Sequence, residues 1–168
     1  MYRRMRRFKQ ELPIEESKRI LLRGKECVLA VGGDDNYPYA VPINYAYDGG
    51  DHIYLHSATA GHKIDAICRN PKVSLCVIDK DEVVPEEFTT YFRSVIVFGH
   101  ARLLEDEDEK IEALRALTDK YIPGIDPTDE INRFIKVVSI IDISIDKITG
   151  KEAKELMMQH NNIYNASK

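Results

Sequence analysis

The sequence predicts a mainly β protein: an antiparallel barrel of six strands with helices packed around it. Its apolar runs are short and rich in β-branched and aromatic residues, and tight turns rich in Gly, Asp and Asn join most of them. Helical periodicity occurs only in brief segments between these runs. The resulting order is helix, three strands, helix, two strands, helix and one strand, which favours an antiparallel barrel over a doubly wound sheet.

The first half of the chain begins with a predicted helix over residues 11–24, because Pro13 suits a first helical turn and Gly24 a helix end. The next strands are predicted at residues 27–31, 38–47 and 52–57. Turns at residues 32–36 and 48–51 would make hairpins of them. Pro42 cannot donate a ladder hydrogen bond, so it indicates a sheet edge or a bulge.

The second half alternates helices with longer strands. Helical segments are predicted at residues 61–70, 106–121 and 131–134, and strands at residues 73–78, 91–104 and 137–145. Residues 79–88 read as an acidic irregular stretch, and Gly99 as a bend in its strand. We therefore expect one domain over residues 1–156 and a flexible C-terminal tail over residues 157–168.

Charge and cysteine content limit the class of partner. The formal net charge of −4 gives no general attraction for nucleic acid, and the basic run between Arg3 and Lys9 is interpreted as a solvated arm in preference to an RNA or membrane contact. Three cysteines without metal or disulfide spacing favour a cytoplasmic protein. No apolar stretch is long enough for a membrane helix or a signal peptide.

The segment from His56 to Lys63 holds the most informative chemistry. A strand ends, small and polar residues turn the chain, and a helix begins, so free backbone N–H groups, the hydroxyls of Ser57 and Thr59 and the Lys63 ammonium would meet at one point. Such a cluster can hold a phosphate. The alternative is an ordinary helix cap by Ser57 or Thr59 with a solvated lysine.

Two further strands offer weaker signals. The edge around Pro42 could present backbone amides to a flat heteroaromatic ring, or its tyrosines could simply pack. Arg93 could reach a phosphate or form a surface salt bridge, and His100 is more often a structural histidine. The sequence lacks a GxGxxG motif, a GxSxG motif and an HExxH zinc motif, so no metal site is expected.

Taken together, these motifs resemble the pyridoxamine 5′-phosphate oxidase-like flavin-binding split barrels, in particular the 5-nitroimidazole-resistance (Nim-like) branch. The matching residues run in order from Met5 to Lys151 and are Met5-Arg6-Arg7, PYAVPINYAYD, IYLHSATAGHK, SVIVFGHARLLED and ITGK. The HSAxxGHK string is the most specific of them.

The resemblance implies a six-stranded split β-barrel that forms a homodimer with FMN, or FAD, at the subunit interface. By analogy, Ser57 and Lys63 would bind the phosphate, and the backbone of Pro42, Ile43 and Asn44 would line the ring. Ala58 would also be among the cofactor-binding residues. His56 would lie near the ring as the candidate catalytic residue. Tyr91, Ser94 and Val95 would approach the cofactor across or near the interface.

The activity implied is that of an FMN-dependent oxidoreductase, in the manner of a reductase of nitroimidazoles or other nitroaromatic compounds. The alternative is a flavin- or haem-binding module without turnover, in which His56, His62 or His100 would ligate haem. Pyridoxamine phosphate oxidation itself is disfavoured, because residues 155–168 contain no arginine and no strand-like run for a substrate phosphate site.

Overall fold

A computed structural model describes residues 2–158 and shows one antiparallel sheet flanked by helices. The strands are β1 (Glu26–Gly32), β2 (Pro38–Asn44), β3 (Ala46–Tyr47), β4 (His52–Ala58), β5 (Lys72–Val84), β6 (Thr89–Leu103) and β7 (Val138–Glu152). The helices are α1 (Ile14–Arg23), α2 (His62–Arg69), α3 (Glu107–Tyr121) and α4 (Thr128–Phe134). The mainly β prediction is confirmed.

A single residue closes the barrel. The strand order in the sheet is β2-β1-β5-β6-β7-β4-β3, so β2 and β3 lie at its two opposite edges. These two edge strands are consecutive in the chain and are separated only by Tyr45. The sheet must therefore curl until its edges meet at Tyr45, which is the split barrel expected from the resemblance. Pro42 lies on edge strand β2, as predicted.

The barrel interior is filled by alternate side chains of the strands. In β1, Cys27, Leu29 and Val31 are buried while their neighbours are more exposed. Helix α1 adds Ile20 and Leu21, both fully buried. Each such side chain contributes roughly 1.5–3 kcal/mol on burial, so the interior supplies a rigid frame for the outer surface.

Three of the predicted strands differ clearly from their predicted bounds. The segment over residues 38–47 divides into β2 and β3 because the chain turns a corner at Tyr45, which gives seven strands where six were predicted. Residues 79–88 are not irregular throughout: β5 continues to Val84, with a register shift between Ile78 and Lys80. Strand β7 likewise extends to Glu152 rather than ending at residue 145.

Residues 80–93 form a two-stranded extension of the sheet, which we call the β5–β6 arm. Its two strands pair from Lys80 and Arg93 out to Val84 and Thr89. The tip contains Phe88, a left-handed residue with φ 50° whose side chain is 97% exposed. The predicted bend at Gly99 is confirmed by a register shift between Phe98 and Gly99.

The first and last described segments lie on either side of this sheet in the sequence. Residues 8–10 form a short 3-10 turn, so the predicted N-terminal arm is ordered in its second half. Residues 154–158 are helical, and the rest of the tail predicted at residues 157–168 lies outside the described residues. Within residues 2–158, every helix is too short or too polar to cross a membrane.

Candidate functional site

The segment between β4 and α2 makes a sharp turn that depends on one glycine. Strand β4 ends at Ala58, residues 59–61 turn, and α2 begins at His62. Gly61 has φ 129° and ψ 171°, a conformation that only glycine adopts without strain. A side chain at Gly61 would meet no atom within 4 Å, so the requirement is for backbone conformation and not for close packing.

The first turn of α2 has no side-chain cap. The alternative reading of this segment, in which Ser57 or Thr59 caps the helix, is therefore not realised. The Lys63 side chain has no hydrogen bond or ion pair to any other residue within 2–158. An uncapped helix start beside an unpaired ammonium is an arrangement that can accept an anion.

The Ser57 hydroxyl is a second group in this segment without a hydrogen-bond partner among the described residues. It is 7% exposed, and its Oγ makes no hydrogen bond within the described part of the chain. Buried hydroxyl groups are nearly always hydrogen-bonded, so an unpartnered one indicates a missing ligand or a stored strain. Ser57 lies one residue before the end of β4 and five residues before the start of α2 at His62, so this unpartnered hydroxyl belongs to the segment that leads into the turn.

His56 and Asn44 meet at the mouth of a groove of about 380 Å³ on the outer face of the barrel. The opposite wall is the C-terminal half of α3, with residues Leu114, Leu117, Thr118, Tyr121 and Ile122. We call this the α3 groove. Because successive strand residues point to opposite faces, His56 faces the groove while Ser57 faces inward.

His56 differs from the other histidines within residues 2–158. The His52 Nδ1 lies 2.8 Å from Asp142 Oδ1, and the His100 Nδ1 lies 2.9 Å from Asp146 Oδ2. His62 accepts from the Asp34 backbone N–H and stacks on a tyrosine ring. His56 has no such contact to a described residue, and its side chain is exposed. It is therefore free to engage a ligand in the groove.

The Tyr121 hydroxyl joins the groove wall to the barrel closure. It accepts from the Tyr45 backbone N–H at 2.9 Å, and its hydrogen is shared between the carbonyl oxygens of Tyr45 and Lys25. The Asn44 Nδ2 donates to the same Lys25 carbonyl at 3.0 Å. The sequence predicted a helix over residues 106–121 but not the role of Tyr121, because nothing local marks a long-range hydroxyl contact.

The other predicted ring contacts lie on strand β2. Pro42 and Asn44 are exposed on the outer face, as is Ala58 at the end of β4, whereas Ile43 packs toward the core. Pro42, Asn44 and Ala58 therefore lie on the same outer face of the barrel as His56. The structure thus brings Asn44 and His56 into one groove and leaves Pro42 and Ala58 on the same face beside it.

The residues predicted to act across an interface lie on or near the arm. Tyr91 is half-buried and donates from its hydroxyl to Glu87, and Ser94 is half-buried at the base of the arm. Val95 is fully buried in the barrel interior. Its side chain therefore packs in the core, and Val95 is paired with Val77 of β5 and Gly150 of β7 on its two sides.

Arg93 forms a structural ion pair and not a phosphate contact. Its guanidinium lies 3.2 Å from Glu152 and 3.3 Å from Asp79, and all three side chains are largely buried. Asp79 is also held by Arg23 at 2.7 Å. Hydrogen bonds from Arg23 first, and then from Arg93, keep the pKa of the Asp79 carboxyl below its usual range. This network fixes the base of the arm to α1.

Lys120 is a second feature that sequence reasoning missed. Its Nζ is buried without a hydrogen-bond partner among the described residues and lies 3.7 Å from the centre of the Tyr45 ring. Burial lowers the pKa of Lys120 to about 8. No group of three or more metal-ligating side chains converges within residues 2–158.

The fold and this site define a split-barrel protein with an uncapped helix start after β4 and a groove on its outer face. The chain belongs to the pyridoxamine 5′-phosphate oxidase family, whose model matches residues 13–152. It is similar to the uncharacterized protein RA0666 of Rhizobium meliloti, with 29% identity over 87% of this chain and 96% of that protein.

Solved structures repeat the fold. A candidate 5-nitroimidazole antibiotic resistance protein from Bacteroides thetaiotaomicron has a TM-score of 0.72 and 25% identity, covering 84% of this chain and 86% of that chain. An FAD-binding protein from Mesorhizobium loti has a TM-score of 0.64 and 27% identity, covering 85% and 96%. An FAD- and haem-binding protein from Mycobacterium smegmatis, at 23% identity and a TM-score of 0.72 over 86% and 73%, shares the fold.

Proposed function

We propose that this protein binds FMN, with the phosphate at the turn between β4 and α2 and the flavin ring along the outer face toward the α3 groove. The observation that carries the proposal is the Ser57 hydroxyl, which is buried and lacks a partner among residues 2–158. Lys63, unpaired beside the uncapped start of α2, supports the same anion site. The FAD-binding structural relative supports a flavin as the ligand class.

In this arrangement each residue has a separate task. The Ser57 hydroxyl would donate to a phosphate oxygen, and the Lys63 ammonium would neutralise part of its charge. The backbone of Pro42, Ile43 and Asn44 would face the ring edge from the sheet edge. The apolar side chains of the α3 groove would exclude water from the ring and from a bound aromatic substrate.

The activity we propose is that of an oxidoreductase acting on nitroaromatic compounds. A bound flavin supplies the redox chemistry, while the protein positions the reactants and their protons. The His56 imidazole faces the groove and is not tied to any other described residue, so its ring nitrogens are available to a ligand bound there. The relative described as a candidate nitroimidazole resistance protein supports this substrate class.

We further propose that the site is completed in a homodimer. The β5–β6 arm exposes large apolar side chains that a solitary chain would leave in water: Val83 is 70% exposed and Phe88 97%, with Ile78 at the base 62% exposed. A second copy covering the arm would bring Tyr91 and Ser94 toward the flavin of its partner.

The direct test is to identify the released cofactor. The purified protein is expected to be yellow, and denaturation should release FMN, which mass spectrometry distinguishes from FAD. Nitroaromatic reduction is then followed with a nicotinamide donor for the wild type and for His56→Ala. A colourless protein that does not take up added FMN would contradict the proposal.

A haem-binding module is the second candidate, and the free His56 is the observation that favours it. His62 and His100 are both engaged within the chain, so His56 is the described histidine best placed as an axial ligand. The FAD- and haem-binding structural neighbour supports this candidate. A Soret band in the purified protein, lost in His56→Ala, would establish it.

A further inference from the structure

A second pocket, remote in sequence from the β4–α2 turn, lies between the N-terminal segment and the C-terminal helix at residues 154–158. Its volume is about 500 Å³. The N-terminal side is fixed in place: Leu12 donates its backbone N–H to Gly150, and Glu11 bridges to Lys151. We call this the basic pocket because its lining consists of Arg6, Arg7, Lys9 and Lys154, with Phe8, Gln10 and Met157.

Charge is the first argument for a ligand there. Four of the seven lining residues are cationic and none is acidic. The Glu155 carboxylate lies 3.7 Å from the Lys154 ammonium and does not line the pocket. Arg6, Arg7 and Lys9 make no ion pair with any other residue of the described chain. In a protein of net charge −4, so many cations around one cavity create a local field that attracts an anion.

A buried amide is the second, independent argument. Gln10 is 8% exposed, and its Oε1 has no hydrogen-bond partner among residues 2–158. Gln10 also lines the pocket. Buried amides rarely lack a partner, and the oxygen and nitrogen of a glutamine amide can exchange places by a flip. The amide with the unpartnered oxygen thus belongs to a residue of the pocket wall, next to where a ligand would lie.

The apolar residues of the pocket lining indicate the chemistry of the uncharged part of the ligand. Phe8 is 49% exposed, and one face of its ring lies 4.6 Å from the Arg4 guanidinium. Met157 faces the same cavity. Aromatic and thioether side chains pack well against flat rings, and the volume falls in the range of small-molecule sites.

We infer that the basic pocket binds a mononucleotide, that is, a phosphate joined to a heteroaromatic base, at a site separate from the proposed flavin site. The arginines would hold the phosphate, Gln10 would pair with the base edge, and Phe8 would pack against the base. Neither Ser57 nor Lys63 lines this pocket. Variants of one site are therefore expected to leave ligand binding at the other site unchanged.

The test is a calorimetric titration of full-length protein with AMP, carried out with and without saturating FMN. AMP is expected to bind in both cases, and about tenfold more tightly than adenosine or inorganic phosphate. The double variant Arg6→Gln/Arg7→Gln should weaken AMP binding at least about tenfold and leave FMN affinity unchanged. Gln10→Leu should weaken AMP binding without lowering thermal stability, because it removes an unpartnered amide.

The matched control is Arg3→Gln, which removes one exposed cation of the same segment that does not line the pocket. It should leave AMP affinity within about twofold of wild type. Equal affinity for AMP and adenosine, or an AMP affinity unaffected by the double variant, would overturn the inference. Loss of AMP binding in Lys63→Ala would also overturn it, because AMP would then occupy the proposed flavin phosphate site. Loss of FMN binding alone would count against the proposed function and not against this pocket.

Discussion

The Tyr121 hydroxyl lies 2.9 Å from the backbone nitrogen of Tyr45 and 2.8 Å from its carbonyl oxygen. Tyr45 is the residue that joins the two edge strands of the barrel, so the last residue of α3 holds the point at which the barrel closes. The same helix forms the wall of the α3 groove. Barrel closure and groove shape are therefore linked through one side chain.

Replacing Tyr121 by phenylalanine tests this link. The Tyr45 backbone groups would lose their partner, so we expect the free energy of unfolding to fall by about 1–3 kcal/mol. Urea denaturation measures the change. The control is Tyr37→Phe, since Tyr37 is 75% exposed and makes no side-chain hydrogen bond to a described residue. Equal stability of the two variants would show that the hydrogen bonds of the Tyr121 hydroxyl contribute nothing to the free energy of unfolding.

Ser57→Ala separates binding from folding. Because the Ser57 hydroxyl has no partner among residues 2–158, removing it should leave the apoprotein as stable as wild type or more stable by up to about 1 kcal/mol. FMN affinity should fall about tenfold, since a charge-assisted hydrogen bond is lost. Thermal unfolding and fluorescence titration give the two values. Ser74→Ala, at a half-buried strand position in β5, serves as control, and a stability loss without an affinity loss would contradict the assignment.

The exposed apolar arm predicts a change of oligomeric state. Val83→Ser/Phe88→Ser removes two large exposed side chains from the β5–β6 arm. If a second copy covers them, the lost apolar contact should shift the protein from dimer toward monomer. Light scattering coupled to size exclusion measures the mass over a range of concentrations. Tyr37→Ser removes a comparably exposed aromatic outside the arm, and an unchanged mass for the arm variant would exclude this surface from the interface.

The buried Lys120 predicts that the free energy of unfolding increases with pH above about pH 8. Burial lowers its pKa from 10.5 in the unfolded chain to about 8 in the folded one. Between these values the unfolded chain holds a proton that the folded chain has released, so rising pH stabilises the folded wild type. Below pH 8 the buried charge is present and destabilising.

Lys120→Met should therefore be more stable than wild type at pH 7, by about 1 kcal/mol once partial solvent exposure and the Tyr45 ring contact are allowed for. The difference should narrow as the pH rises above 8. Urea denaturation of both proteins at pH 7 and at pH 10 tests this, with Lys110→Met on the same helix as control. A difference independent of pH would show that Lys120 does not carry the effect.

Local sequence patterns were enough to predict the strands whose inner face is buried. In β1 and β4 the alternation of apolar and polar residues survives in the structure. The outer part of β5 was missed because the arm has no buried face, and residues from Asp81 to Val83 are all exposed. Its strand conformation comes from pairing with β6, which no local pattern records.

In the candidate site, too, the features encoded by neighbouring residues were predictable and those formed by distant residues were not. The turn from His56 to Lys63 carries its glycine, hydroxyl and lysine within eight residues, so sequence reasoning could find it. The α3 groove joins His56 to Tyr121, which are far apart in the chain. Arg93 remained ambiguous because its partners, Asp79 and Glu152, come from two other strands.

The most direct test of the phosphate site compares FMN with riboflavin, which differs only in lacking the phosphate. Fluorescence titrations would be made on apoprotein of the wild type and of Lys63→Ala. FMN should bind the wild type at least about a hundredfold more tightly than riboflavin, and Lys63→Ala should lose most of that preference while keeping its affinity for riboflavin. Equal binding of FMN and riboflavin by the wild type would contradict the assignment of this turn as the flavin phosphate site.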